Sequence, residues 1–327
     1  MDAHRFLAAR KLSRSFVLAV LFLAFFFPLL VYSSWRPSEL WGNKFSARPA
    51  QTAPTTQTAE PAPTHPRIPK KLWYKLGPKG LNDQTRAWTD GCIRNNTDYE
   101  VEFMTESSAD RYVQRTFGPS DPGLVEIYLG LTVPILKADL LRYLLLFAEG
   151  GVYSDLDVSC EAPINEWIPR QYQANASLVV GWEFDVIVDR DSFVHQLETW
   201  VIMARPGSPH VWMVIRDTLQ FLRDTMRERS VPIEGVALDM IGDVVDATGP
   251  RRFTRGVLKS MAEAFDTKAH DVEGLLEPKL VGDVLFLPGY AFSASANKYQ
   301  EDMEVPPPLA KHHYAGTWKN DQGGETS

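Results

Sequence analysis

Residues 137–149 read KADLLRYLLLFAE, a helix-length run with apolar residues on every side. Eight of the ten residues from Ala138 to Phe147 are apolar, so such a helix has no face for water and must be enclosed by other elements. Gly150-Gly151 behind it supplies the left-handed stop of a helix end, and residues 152–158 then alternate as a strand. Comparable signals recur along the chain. Residues 68–74, introduced by prolines and closed by Gly77-Pro78, predict a first strand. A helix over 82–92 and a strand over 99–104 follow, then a strand over 178–182, a long amphipathic helix over 209–228 and a strand over 284–287. Strands interleaved with helices predict an α/β sandwich around a mostly parallel sheet. Ligands in such folds bind beyond the carboxyl ends of the strands.

The amino-terminal fifth reads differently. Residues 16–32 carry no charge, and a helix there covers about 26 Å, the short end of a membrane span. Arg5, Arg10, Lys11 and Arg14 precede it against Asp2 alone, so residues 1–15 form a cytoplasmic tail and 16–32 an uncleaved single-pass signal anchor. Ser33-Ser34-Trp35-Arg36 makes a weak cleavage site, which disfavours a removable signal peptide. Short and rich in Phe, the span suits a thin early-secretory bilayer. Of residues 47–66, 15 of 20 are Ala, Pro or Thr, so 33–66 forms an extended stem that cannot bury a core. The globular domain is 67–327 and is expected in the lumen. Asn95 and Asn175 each open a glycosylation sequon there. Cys92 and Cys160, the only cysteines, can form at most one disulfide and no four-cysteine zinc site.

Charge excludes one class of partner. The chain has 34 basic and 41 acidic residues, a net −7; residues 1–15 carry +3, which leaves −10 on the rest. An acidic body is a poor ligand for nucleic acid, whose binding is driven by Lys and Arg.

The candidate chemistry concentrates between Pro134 and Cys160. On a strand, Tyr153, Asp155 and Asp157 share a face. Two carboxylates side by side repel unless a cation or a shared proton relieves them, and Mg²⁺ or Mn²⁺ takes carboxylate oxygens together with substrate phosphates. A glycosidase would place its two carboxyl groups on opposed elements rather than two apart in one strand. Asp139 and Arg142 are the charged residues of the apolar helix, three apart and so on one side of it. They form either a buried ion pair or a pair meeting a polyhydroxylated ligand. Lys137 lies at the helix start.

Lys137-Ala138-Asp139-x-x-Arg142-Tyr143 followed by Gly150-Gly151-Val152-Tyr153-x-Asp155-x-Asp157 resembles the signature of glycosyltransferase family 32, and most of all its fungal initiation-specific α-1,6-mannosyltransferases. Ile68-Pro69-Lys70-Lys71, Val180-Gly181-Trp182-Glu183-x-Asp185, Thr248-Gly249-Pro250 and residues 312–319 extend the resemblance over nearly all of 67–319. Ser154 and Trp182 depart from the family's usual residues, which bears on acceptor choice. The resemblance implies a GT-A fold, a divalent cofactor (Mn²⁺ or Mg²⁺) and retaining transfer of a hexose, mannose from GDP-mannose, onto a glycan acceptor. Asp139, Arg142, Tyr153 and Asp155 would line the donor-sugar site, Asp155 contacting the sugar or ribose, and the catalytic pair Asp157 and Asp155 would hold the metal. Trp73 would border the nucleotide base or sit in the core. Glu183 and Asp185 would position the acceptor or remain surface charges. His313-Tyr314-Ala315-Gly316 resembles the segment that brings a third metal ligand, with His313 preferred over His312 by its spacing to Gly316. Lys319 would meet the diphosphate and Trp318 would close over it. The resemblance further implies a Golgi membrane location and assembly with other Golgi transferases. A glycolipid or small-metabolite acceptor, and a catalytically silent glycan-binding scaffold, are the alternatives.

Overall fold

A computed structural model describes residues 67–185, 195–299 and 303–315. The expected anchor at 16–32, the stem at 33–66, and Trp318 and Lys319 lie outside the described residues. Among the described residues no helix is long and apolar enough to cross a membrane.

The domain opens with β1 (Lys71–Lys75), α1 (Asp83–Asn95) and β2 (Glu100–Met104). Asn82 starts α1 by accepting the Thr85 N–H at 2.8 Å, while Thr85 Oγ1 accepts the Asn82 N–H at 3.0 Å. α2 (Glu106–Phe117) starts the same way at Thr105, and α3 (Pro122–Gly130) and α4 (Pro134–Ala148) follow. Proline opens both α3 and α4, at the position where a missing N–H costs nothing. α4 is the enclosed helix expected from its sequence. Leu140, Leu141, Leu144, Leu145 and Leu146 are fully buried, each contributing about 1.5–3 kcal/mol. The chain leaves it through Gly150 (φ 69°) and Gly151 (φ 98°) into β3 (Gly151–Ser154). Neither glycine is replaceable: a Cβ at Gly150 would lie 2.6 Å from the Ala204 carbonyl oxygen, and one at Gly151 2.5 Å from that of Lys71.

Next come β4 (Val158–Cys160), β5 (Leu178–Phe184), β6 (Gln196–Leu197), β7 (Val201–Ala204) and α5 (Pro209–Arg229). Short helices α6 (Leu238–Ile241) and α7 (Val244–Ala247) lead to α8 (Pro250–Phe265), β8 (Lys279–Val281), β9 (Val284–Leu287), α9 (Gly289–Ser293) and β10 (Ala310–His312). The main sheet has the order β2-β1-β3-β7-β5-β9-β8, with β6 on β5. Strands β2, β1, β3, β5 and β9 share one direction, while β7 and β8 oppose them. The sheet is therefore mixed: mostly parallel in direction, but with antiparallel β7 at its centre.

Side-chain alternation splits the core into two layers. Trp73, Tyr153, Val180, Ile202 and Phe286 face α4, α5 and α8, whereas Leu72, Tyr74, Val152, Val179, Met203 and Leu285 face the opposite side. Cys92 of α1 and Cys160 of β4 form a disulfide that ties that second layer together.

The strand expected over 152–158 is corrected. Pairing stops at Ser154, residues 155–157 turn out of the sheet, and residues 158–160 pair instead with β10. Two adjacent carboxylates are better tolerated on a turn at the sheet edge than within a packed strand.

Candidate active site

Asp155 and Asp157 occupy the turn beyond the carboxyl end of β3. β10 runs back antiparallel to β4 with His312 opposite Val158, which carries the imidazole to the carboxylates. One ligand atom each of Asp155, Asp157 and His312 lies within 4.8 Å of the others, and His312 Nε2 is 3.3 Å from Asp157 Oδ1. The three side chains keep 29%, 18% and 12% of their surface accessible, so the cluster is lined by protein but not closed. Two carboxylates and an imidazole form a donor set that fits Mn²⁺ or Mg²⁺ and leaves coordination positions for phosphate oxygens.

The expected third ligand is corrected from His313 to His312. The His313 ring stacks on Trp88 with centroids 4.1 Å apart, and its Nε2 lies 2.9 Å from Ser159 Oγ. Neighbouring residues of an extended segment point to opposite sides, so the register of β10 on β4 selects one histidine and turns the other away. Tyr314, at φ 49°, packs edge-on against both His312 and Trp200.

The two aspartates differ electrostatically. Packing around Asp155 raises its carboxyl above the usual range, and the nearby Asp157 adds to this, although Arg142 pulls the other way. Its Oδ1 accepts the Tyr153 hydroxyl at 2.9 Å, and its N–H donates to the Trp200 carbonyl at 2.8 Å. Burial also pushes Asp157 upward, but His312 and the Ala315 N–H, 2.9 Å from Oδ2, outweigh it and hold this carboxyl below its ordinary value. Asp157 is the more firmly ionised of the two.

Behind them lies the Asp139–Arg142 pair. Arg142 Nη2 is 2.8 Å from Asp139 Oδ1 and 3.8 Å from Asp155 Oδ1, Nη1 donates to the Thr199 carbonyl, and the guanidinium stacks 4.8 Å from the Tyr153 ring centroid. Asp139 Oδ2 accepts the Thr248 hydroxyl at 2.7 Å. Burial raises the Asp139 carboxyl, and Arg142 and Thr248 oppose that rise. Both oxygens of Asp139 are thus engaged within the protein, so the buried ion pair is formed. It also stands directly beside Asp155, with Arg142 Nε buried and without a hydrogen-bond partner among the described residues. Lys137 is held away from this cluster by Glu106 at 3.1 Å and Asp110 at 2.9 Å.

Residues 82–174, which contain this helix, turn and carboxylate pair, match the family described as "Glycosyltransferase sugar-binding region containing DXD motif". The chain is 31% identical over 273 residues to the initiation-specific alpha-1,6-mannosyltransferase of Schizosaccharomyces pombe, a match covering 79% of this chain and 66% of that protein. The protein of the same name from Candida albicans is 29% identical over 291 residues, covering 78% of this chain and 73% of its own length. The chain belongs to this glycosyltransferase family. It spans about two thirds of the length of these relatives. A mannosyl phosphorylinositol ceramide synthase of Saccharomyces cerevisiae is 31% identical over 83 residues, covering 24% of this chain and 21% of that protein.

Other expected site residues of the transferase fall elsewhere. Trp73 is corrected to a core residue: it is fully enclosed, its Nε1 donates to the Gly150 carbonyl at 2.9 Å, and no face is left for a base. Asp185 is neither a surface charge nor free to meet an acceptor. It is buried and its oxygens accept the Gly274 and Leu275 N–H groups at 2.6 and 3.0 Å. Trp182 supports the same loop by donating to the Val272 carbonyl at 2.8 Å. Glu183 is buried as well and accepts from Gln196 at 2.5 Å. Asn95 and Asn175 are both exposed, as sequon use requires.

The sequence reading missed the 198–200 turn. Because β7 opposes β3 and pairs Val201 with Ser154, the residues leading into β7 arrive at the edge where β3 ends. The only local signal is a carboxylate, Glu198, just before a buried run of apolar residues. Nothing in its spacing announces that the turn it opens meets Asp155.

Proposed function

We propose that this transferase is a metal-dependent, retaining mannosyltransferase that moves mannose from GDP-mannose onto a glycan acceptor, anchored in the Golgi membrane with its globular domain in the lumen. One observation carries the reading: the Asp155–Asp157–His312 cluster stands beside the buried Asp139–Arg142 pair at the carboxyl edge of the sheet. Relatives named as initiation-specific alpha-1,6-mannosyltransferases and as a mannosyl phosphorylinositol ceramide synthase share a name for mannosyl transfer, which favours mannose as the donor sugar. They differ in acceptor. The glycan acceptor implied by the family resemblance is preferred because the initiation-specific mannosyltransferase matches 79% of the chain and the ceramide synthase 24%. A glycolipid acceptor is the second reading.

A bound divalent cation supplies Lewis-acid charge to the leaving diphosphate, and Asp155, Asp157 and His312 would hold it. The chain's own residues do the rest. Asp157, held ionised by His312 and the Ala315 N–H, is ready to bind without first losing a proton. Arg142 is fixed by Asp139, Thr199 and the Tyr153 ring, so its guanidinium needs no reorganisation when a sugar hydroxyl arrives. Retention is assigned to same-face attack by the acceptor hydroxyl. The three converging ligand atoms beside Arg142 favour catalysis over a silent scaffold.

The lumenal location is supported by the Cys92–Cys160 disulfide, since such bonds persist in oxidising compartments. Two experiments test the proposal. Among GDP- and UDP-sugars, GDP-mannose should be the preferred donor, with turnover abolished by chelator and restored by Mn²⁺; preference for another sugar or full activity in chelator overturns it. Protease added to intact microsomes should spare the domain, and its rapid digestion would refute the topology.

A further inference from the structure

The 198–200 turn touches each part of the site through a different atom. The Thr199 carbonyl accepts from Arg142 Nη1, the Trp200 carbonyl accepts the Asp155 N–H at 2.8 Å, and the Trp200 ring stacks on His312 at 4.3 Å and 3°. The turn itself is held by one side chain. Glu198 Oε2 accepts the Val201 N–H at 2.8 Å, closing the turn on itself, while the Glu198 N–H donates to the Gly181 carbonyl at 3.0 Å. We propose that Glu198 is the positioning residue of this site, fixing the turn so that its two carbonyls and its indole set Arg142, Asp155 and His312 together.

Two observations separate this from simple packing. Glu198 is wholly enclosed, yet its Oε1 has no hydrogen-bond partner among the described residues, and an apolar residue of the same volume would fill the space without burying an unpaired oxygen. The other orphaned polar atoms nearby, Arg142 Nε, Trp200 Nε1 and His312 Nδ1, belong to the residues the turn contacts or contains. Unsatisfied buried groups gathered at one place mark a site held ready for a ligand rather than a finished core. Burial pushes the Glu198 carboxyl well up, and Glu183 and Asp155 add to this.

This inference rests on the metal site of the proposed function, and its test reads that site without using the donor. Mn²⁺ affinity of the full chain is measured by titration calorimetry for the wild type, Glu198→Met and Glu198→Gln, with a melting curve for each. Methionine keeps the volume and removes the acceptor; glutamine restores an acceptor for the Val201 N–H. A folded Glu198→Met should bind Mn²⁺ at least tenfold more weakly, with faster exchange of the Asp155 amide, and Glu198→Gln should recover most of the affinity. Wild-type affinity in folded Glu198→Met overturns the proposal. So does a tenfold loss in folded Glu198→Gln, which decides the matter should the methionine variant fail to fold. A wild type that binds Mn²⁺ but does not use GDP-mannose refutes the donor assignment and leaves this inference standing. A wild type that binds no Mn²⁺ refutes both.

Discussion

Removing Arg142 should cost far more stability than removing the Asp139–Arg142 pair as a whole. Both side chains are at most 6% exposed, and among the described residues Asp139 has Arg142 and the Thr248 hydroxyl as its partners. Arg142→Met leaves a buried carboxylate with one neutral hydrogen bond, and stripping one partner from a buried pair costs about 3–5 kcal/mol. Against a total stability of about 5–15 kcal/mol for a domain, that is severe. Asp139→Leu combined with Arg142→Met removes both charges and refills the volume with apolar atoms, an exchange that is often neutral. Arg142→Lys falls between. The ammonium keeps the charge but cannot meet Asp139 Oδ1 and the Thr199 carbonyl together, losing one charge-assisted bond worth about 1.5–3 kcal/mol. Urea unfolding of wild type, Arg142→Met, Asp139→Leu and the double variant closes a cycle whose coupling should be at least about 3 kcal/mol, the single-variant cost that a near-neutral double variant recovers. Arg142→Met costing less than about 1 kcal/mol, or a double variant no more stable than that single variant, would refute the argument. The double variant should fold and be inactive in transfer, since the guanidinium beside Asp155 is gone.

His312→Ala should weaken Mn²⁺ binding at least tenfold, whereas His313→Ala should change it less than threefold and lower the melting temperature through lost stacking on Trp88; the opposite order in metal titrations would restore His313 as the ligand. Replacing Cys92 and Cys160 by alanine opens a closure spanning 68 residues, and urea unfolding should register a loss of about 2–4 kcal/mol; an unchanged midpoint would mean that the unbridged chain is already as constrained. The folded-state value of Glu198 lies above its ordinary 4.5, so its contribution to stability is complete below that pH and is lost as pH rises through the folded value. Glutamine cannot ionise, so the melting temperature of Glu198→Gln relative to wild type should rise between pH 5 and pH 8, and a constant difference would show that Glu198 does not titrate on unfolding.

What was legible in the sequence is what short-range physics determines. The all-round apolarity of 137–149 fixes a buried helix, and Gly150-Gly151 fixes its exit, because only glycine tolerates that backbone and that proximity to Lys71 and Ala204. The Asp139, Arg142, Asp155 and Asp157 constellation followed from these two features and the family resemblance. What was not legible depends on pairing between distant segments. Alternation continues through residues 152–158, so nothing local reveals that the sheet releases the chain at Ser154. The spacing of His313 to Gly316 says nothing about the register of β10 on β4, and a slip of one residue exchanges one histidine for its neighbour. Whether Trp73 borders a base or sits in the core is likewise decided by its neighbours in space. With β2 on one side, β3 on the other and α2 against the sheet face, it is interior.

The antiparallel setting of β7 connects these findings. In a purely parallel sheet every strand would arrive at the ligand edge by its carboxyl end, and the amino-terminal ends would lie on the opposite side of the molecule. One reversed strand in the middle brings the start of β7 to that edge, so residues 198–200 meet the end of β3 where Asp155 turns out. The same reversal leaves β4 free of the main sheet, and β10 fills the vacant pairing and delivers His312. The disulfide at Cys160 then anchors the far end of β4 to α1, so the strand that receives His312 is fixed at both ends, by the Asp155–Asp157 turn and by the covalent link. The ligand set therefore depends on three long-range contacts made together, and that is why it could not be read from any one motif.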